Sequence, residues 1–166
     1  MATTTSAASM AAERASRDWL KLASILLACI GALIAGYLVI SEVTNTQTIC
    51  PETRAFNCDL VQKSIYSRVG PIPVAVLGLA GYLAILGVLL LESRVELFVG
   101  RGKLLVFGMT LIGLLFSGYL TAMEAFVLHA WCVWCVGSAI TMTLLFIVSF
   151  ARLWRSIGAG PIEDEE

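Results

Sequence analysis

Trp131-Cys132-Val133-Trp134-Cys135 runs straight into the apolar stretch Val136 to Phe150, so two thiols three residues apart stand at the start of a hydrophobic helix. At that spacing they can close a small disulfide ring. The partial positive charge of a helix N-terminus favours thiolate over thiol, which makes such a pair both oxidisable and nucleophilic. The competing explanation is packing, because cysteine is a common small apolar residue in hydrophobic helices. The sequence on either side decides between them.

The helix after the pair is not the only one of its kind. Of 166 residues, 58% are hydrophobic and the mean hydropathy is +0.87, against an apolar share of roughly 45–50% in soluble domains. The chain is therefore expected to be an all-α integral membrane protein. A formal charge of −1 points to no nucleic-acid partner. Of five cysteines, four lie outside the first apolar run, a usage that suits an oxidising compartment.

Residues 1–18, rich in Ala, Ser and Thr with Arg14 and Arg17, read as a disordered cytoplasmic tail ahead of a redox domain over residues 19–153. Leu20 to Ser41 is long and apolar enough to cross a hydrocarbon core of about 30 Å. It exceeds a signal-peptide core and has no small-residue cleavage site after it. Three further spans follow at Ile72–Leu91, Leu104–Met123 and Cys132–Leu153, and residues 154–166 form a tail with an acidic end. The predicted fold is a four-transmembrane-helix bundle. Its long outer loop, Glu42 to Pro71, holds Cys50 and Cys58, and the spacing of Leu60, Val61, Ile65 and Val69 predicts a short amphipathic surface helix within it.

Lys and Arg near helix ends are retained on the cytoplasmic side. Arg14, Arg17, Lys21, Arg94, Arg101, Lys103, Arg152 and Arg155 fall on one side and Arg54, Lys63 and Arg68 on the other, eight against three. Both termini are thus expected in the cytoplasm, with Cys50, Cys58, Cys132 and Cys135 together on the outer face. An internal echo supports their equivalence. Gly36-Tyr37-Leu38, Glu42 and Cys50 recur as Gly118-Tyr119-Leu120, Glu124 and Cys132 at a constant offset of 82 residues.

One pair in a long loop and one at a membrane boundary suggest electrons passed between a water-soluble thiol and a lipid-soluble oxidant such as a quinone, because thiol–disulfide exchange needs one partner to move. A static scaffold stapled by two disulfides is the non-enzymatic alternative. Against it, a ring as small as Cys132 to Cys135 restricts the unfolded chain little. A zinc site from the same thiolates is a further alternative, disfavoured by an oxidising compartment, so no metal is expected.

Cys50, Cys58 followed by Asp59, Ser64 and the late pair Cys132-Val133-Trp134-Cys135, in this order among four spans, resemble the vitamin K epoxide reductase family, in particular its bacterial members. The resemblance spans roughly residues 18–153. It implies a four-helix bundle around a quinone, menaquinone or ubiquinone, in the bacterial cytoplasmic membrane. It also implies oxidation of a separate thioredoxin-like (DsbA-like) extracytoplasmic protein, since no such domain is fused here. The residue roles implied are Cys50 meeting the partner, Cys58 attacking Cys132, and Cys135 reacting with quinone beside Ser64. The same residues run backwards would make a thiol-driven quinone or vitamin K (epoxide) reductase. Positions that carry polar quinone contacts in animal members are expected here as Val76 and Ala139, so epoxide chemistry is not implied.

Other residues are read from position. His129, the single histidine, sits three residues before Cys132 and is a candidate partner for a thiolate or a quinone carbonyl, alongside an ordinary interfacial role. Trp131 and Trp134 suit a quinone wall or an interfacial aromatic belt. Cys29, Tyr37, Tyr119 and Ser117 read as packing, and Gly31, Gly36, Gly113 and Gly118 as points of close helix approach.

Overall fold

The computed structural model of the chain describes residues 3–50, 56–92 and 101–158. Part of the cysteine loop (51–55), the charged turn at 93–100 and the acidic end at 159–166 lie outside them. Four helices are long and apolar enough to span a membrane, over Trp19–Thr44, Val74–Leu91, Gly102–Leu128 and Val133–Ile157. The four expected spans are all present.

Helix α1 covers Thr3–Thr44, roughly 60 Å at the α-helical rise and about twice the thickness of a hydrocarbon core. The backbone of the segment expected as a disordered tail thus continues the helix. Ala, Met, Glu and Arg are good helix formers, and extending an existing helix needs no new nucleus. At the other end Asn45 takes a left-handed conformation (φ 51°). There the Thr46 N–H donates to Ser41 O at 3.1 Å and the Asn45 N–H to Glu42 O at 3.4 Å. This Schellman closure carries the helix past Ser41.

The loop departs from expectation in one respect. The surface helix predicted over Asp59–Val69 is broken into a five-residue helix α2 (Cys58–Gln62), a 3₁₀ turn (Ile65–Ser67) and a two-residue hairpin of β1 (Arg68–Val69) and β2 (Ile72–Pro73). Serine is the reason. The Ser64 hydroxyl donates to Val61 O at 2.7 Å and the Ser67 hydroxyl to Ser64 O at 2.7 Å, bonds that compete with a continuing helix. Gly70, at φ +64°, makes the hairpin turn in a conformation that costs glycine little. Val61 is buried under the loop, whereas Leu60, Ile65 and Val69 stay exposed.

Helix α3 (Val74–Leu91) starts directly after Pro73, where a proline is tolerated. Helix α4 (Arg101–Met123) widens into a π-helical turn, Glu124–Leu128, and α5 (Val133–Gly158) runs on past the expected end at Leu153. Helix α1 packs on α3 and α5, and α4 packs on α5 and α3, closing a four-helix ring. Its core holds Ala28, Ala35, Tyr82, Ile85, Leu89 and Leu145. Gly31 is required for close approach, because a Cβ there would overlap the Tyr82 ring. A Cβ at Gly113 would meet only the flexible end of Met142, and none lies near Gly36 or Gly118. Outward-facing Leu26, Leu33, Ile112, Leu115 and Ile147 form the apolar coat that lipid requires. At the end of the bundle away from the cysteines, Arg152 and Glu92 form a 2.8 Å ion pair.

Candidate functional site

Four cysteines converge at one end of the bundle. Helix α4 cannot run straight into α5, because its π turn ends at His129, whose left-handed backbone (φ 48°) reverses the chain. Ala130 and Trp131 follow, and Cys132 stands immediately before α5 with its carbonyl accepting the Val136 N–H at 2.9 Å. Cys135 lies one turn into the helix. Both are free thiols, Cys132 fully buried.

The loop is tied onto this segment by its backbone. Phe56 pairs with Trp131 in a parallel bridge and the Asn57 N–H donates to Trp131 O at 3.1 Å. Asn57 also caps α2, its Oδ1 accepting the Leu60 N–H at 3.0 Å. Cys58, the first residue of α2, is thereby placed in one buried cluster with Cys132, with Cys50 and Cys135 packed around it. Cys50 and Cys58 are joined as a disulfide. One pair is oxidised and the other reduced, in contact through the same cluster.

A second tether holds the Cys50 side. Trp134 Nε1 donates to Ile49 O at 3.0 Å, and the Ile49 N–H donates to the Tyr37 hydroxyl at 3.0 Å. The two rings pack against each other at a tilt of 44°, centroids 4.6 Å apart. Both backbone polar groups of Ile49, the residue before Cys50, are thus clamped, a role for Tyr37 and Trp134 that their positions in sequence did not reveal. Gln62 adds a bond to the buried Thr48 at 3.2 Å.

The surroundings favour charge on one thiol in particular. The neighbouring Cys135 side chain, with the Cys135 N–H directed at the Cys132 sulfur at 3.4 Å, draws the Cys132 thiol below its ordinary value against the opposing effects of burial and of Glu124. These contacts favour the thiolate form of Cys132 relative to an ordinary cysteine. Glu124 is only 4% exposed, and its Oε2 accepts the Cys132 N–H at 3.2 Å. The sequence flagged this carboxylate only through its echo with Glu42. Glu42 has a different partner, Arg68 at 3.4 Å.

Behind the cysteines lies a chamber of about 430 Å³ between all four helices, walled mainly by Ala, Leu, Ile, Met and Phe side chains. That size and character suit a small apolar ligand. Its polar features are the hydroxyls of Tyr82, Ser117 and Ser138, with Tyr82 Oη 3.0 Å from Ser138 O and 3.1 Å from Ser138 Oγ. Ser138 stands one turn beyond Cys135 on α5. Tyr82 was missed because a lone tyrosine in an apolar span carries no pattern.

The residues expected to contact a ligand there are placed elsewhere. Ser64 lines a neighbouring cavity of about 60 Å³ together with Glu124, sharing Val74 and Leu120 with the chamber. Trp131 lines a separate groove between α4 and α5 that also contains Ala139. Trp134 is held by the loop, and His129 is exposed, its backbone N–H capping Glu124 O. Among the described residues no three His, Cys, Asp or Glu side chains gather as metal ligands would.

The sequence matches the family model described as the Vitamin K epoxide reductase family over residues 4–150. That match covers most of the chain and includes all four clustered cysteines. A disulfide packed against a reduced cysteine pair at the head of four membrane-spanning helices is the machinery of thiol–disulfide exchange, and the chain belongs to the Vitamin K epoxide reductase family as a membrane thiol oxidoreductase.

Proposed function

We propose that the protein generates disulfides, oxidising a separate thioredoxin-like (DsbA-like) protein outside the bacterial cytoplasmic membrane and passing the electrons through its two cysteine pairs to a membrane quinone. The observation that carries this is the packing of a Cys50–Cys58 disulfide against the reduced Cys132 and Cys135 in one buried cluster. A structural staple would have no use for the open pair. The excess of basic residues on the side of the termini supports a cytoplasmic location for both, with the cysteines outside.

In the relay, a partner thiolate attacks Cys50 and releases Cys58. A second partner thiol resolves the mixed disulfide, leaving both loop cysteines reduced. The Cys58 thiolate attacks Cys132 in the Cys132–Cys135 disulfide and releases Cys135. Cys50 then attacks Cys58, which restores the loop disulfide and leaves the Cys132 and Cys135 dithiol carrying two electrons. This is the pairing present here.

A quinone supplies the two-electron acceptor chemistry. The chamber fits its ring by volume and apolar lining, and Ser138 has a hydroxyl proton to offer a carbonyl while Tyr82 donates to Ser138 O. The test uses protein in lipid discs with a small dithiol and menaquinone or ubiquinone. Quinone reduction is expected, and Cys135→Ala should abolish it. Equal rates in that variant refute the assignment of Cys135 as the quinone-facing thiol.

A further inference from the structure

We infer that Glu124 is a catalytic residue that takes a thiol proton of the Cys132 and Cys135 pair when the dithiol is oxidised. This rests on the relay above for its place in the cycle and on geometry for its substance. A carboxylate buried within a membrane-spanning stretch is costly to keep unless it has a task. Glu124 meets the pair at both members: its Oε2 accepts the Cys132 N–H at 3.2 Å, and its carboxylate interacts with the Cys135 side chain. Among the described residues no lysine or arginine forms an ion pair with it. It sits in the π turn, a distortion that places its side chain under the start of α5 and that recurs at functional sites.

The carboxylate also borders a way out. The cavity of about 60 Å³ beside it has room for about two waters. It is lined by Gln62, Ser64 and Ser67 from the loop and shares Val74 and Leu120 with the large chamber. The titratable groups that face Glu124 are Cys132 just before α5, Cys135 in its first turn and Tyr66 from the loop, Cys58 being held in its disulfide. His129 points away to solvent. Oxidation of the dithiol breaks two S–H bonds and forms one S–S bond. Two electrons go to the quinone, one proton goes to Glu124 and the other to solvent. Glu124 returns that proton through the shared cavity, and the hydroquinone takes its second proton from solvent.

Glu124 also accepts a backbone N–H at the head of α5, so the test must separate a base from a cap. Glu124→Gln keeps an acceptor oxygen and removes the base, whereas Glu124→Asp keeps the base. Two rates are measured across pH in lipid discs: quinone reduction with a small dithiol donor, and quinone-independent closure of the Cys132 and Cys135 pair by the thiol oxidant diamide. Glu124→Gln is expected to slow both by about 10²-fold, the scale of general-base catalysis. It should also lose the acid limb of the profile, with Glu124→Asp recovering part of the rate. A Glu124→Gln variant with wild-type rates and an unchanged acid limb overturns the inference and leaves Glu124 as a cap. Slowed diamide closure without quinone reduction in the wild type would leave the role of Glu124 standing and sink the quinone reading instead.

Discussion

Removing the clamp on the Ile49 peptide should free the Cys50 end of the loop by a calculable amount. Trp134→Phe deletes the indole N–H that reaches Ile49 O, and Tyr37→Phe deletes the hydroxyl that accepts the Ile49 N–H. Both changes keep the tilted contact of two aromatic rings, whose centroids lie 4.6 Å apart. Because Ile49 is 81% exposed, water replaces each lost partner, and the cost is the net value of a neutral hydrogen bond, about 1 kcal/mol, not the larger desolvation penalty. At about 1.4 kcal/mol per tenfold, each variant should raise the open population about fivefold and the double variant about thirtyfold. The readouts are hydrogen exchange at the Ile49 amide and the rate at which a small dithiol reduces Cys50–Cys58, with Trp131→Phe as the control outside the clamp. Exchange and reduction unchanged in the double variant, or matched by the control, would show that the clamp does not govern the loop.

Alkylation of Cys132 in the reduced protein should titrate below the ordinary thiol range, and Cys135→Ala should move that midpoint up by removing the neighbouring side chain that does most to lower it. Because the folded value is depressed, the associated stability is complete above the unfolded thiol value and is lost as pH falls through the folded one; thermal unfolding of the reduced protein against pH reads this sign. Arg152→Met should destabilise by about 3–5 kcal/mol because it strands a carboxylate whose side chain is only 11% exposed. Glu92→Leu added to it should restore most of the loss, measured by thermal unfolding in detergent. Gly31→Ala should cost about 1–3 kcal/mol through overpacking against Tyr82, and it should weaken quinone binding by displacing the Tyr82 hydroxyl from Ser138.

What was legible in the sequence came from strong one-dimensional signals. Four long apolar runs can only be buried in lipid or in one another, so the span count was recoverable although the ends were not. The Schellman closure at Asn45 and the extension of α5 depend on backbone bonds that hydropathy does not register. The loop helix is shorter than the periodicity of Leu60, Val61 and Ile65 implies, because that periodicity does not register the competing hydroxyls of Ser64 and Ser67. The same limit applies at the site. Cysteine spacing is conspicuous, whereas Glu124, Tyr82 and Tyr37 are single residues whose neighbours come from other helices.

By itself the sequence determined the chemical class and the membrane setting, because composition, run length and cysteine order are properties of the chain read along its length. Only the tertiary structure decided which groups act together. It packed Cys58 against Cys132, aimed Glu124 at the dithiol, fastened Ile49 between Tyr37 and Trp134, and set hydroxyls from α3 and α5 in one chamber. Those meetings depend on where a π turn redirects α4 and where a missing side chain at Gly31 lets Tyr82 in. They are matters of close packing in three dimensions, to which no spacing along the chain gives access.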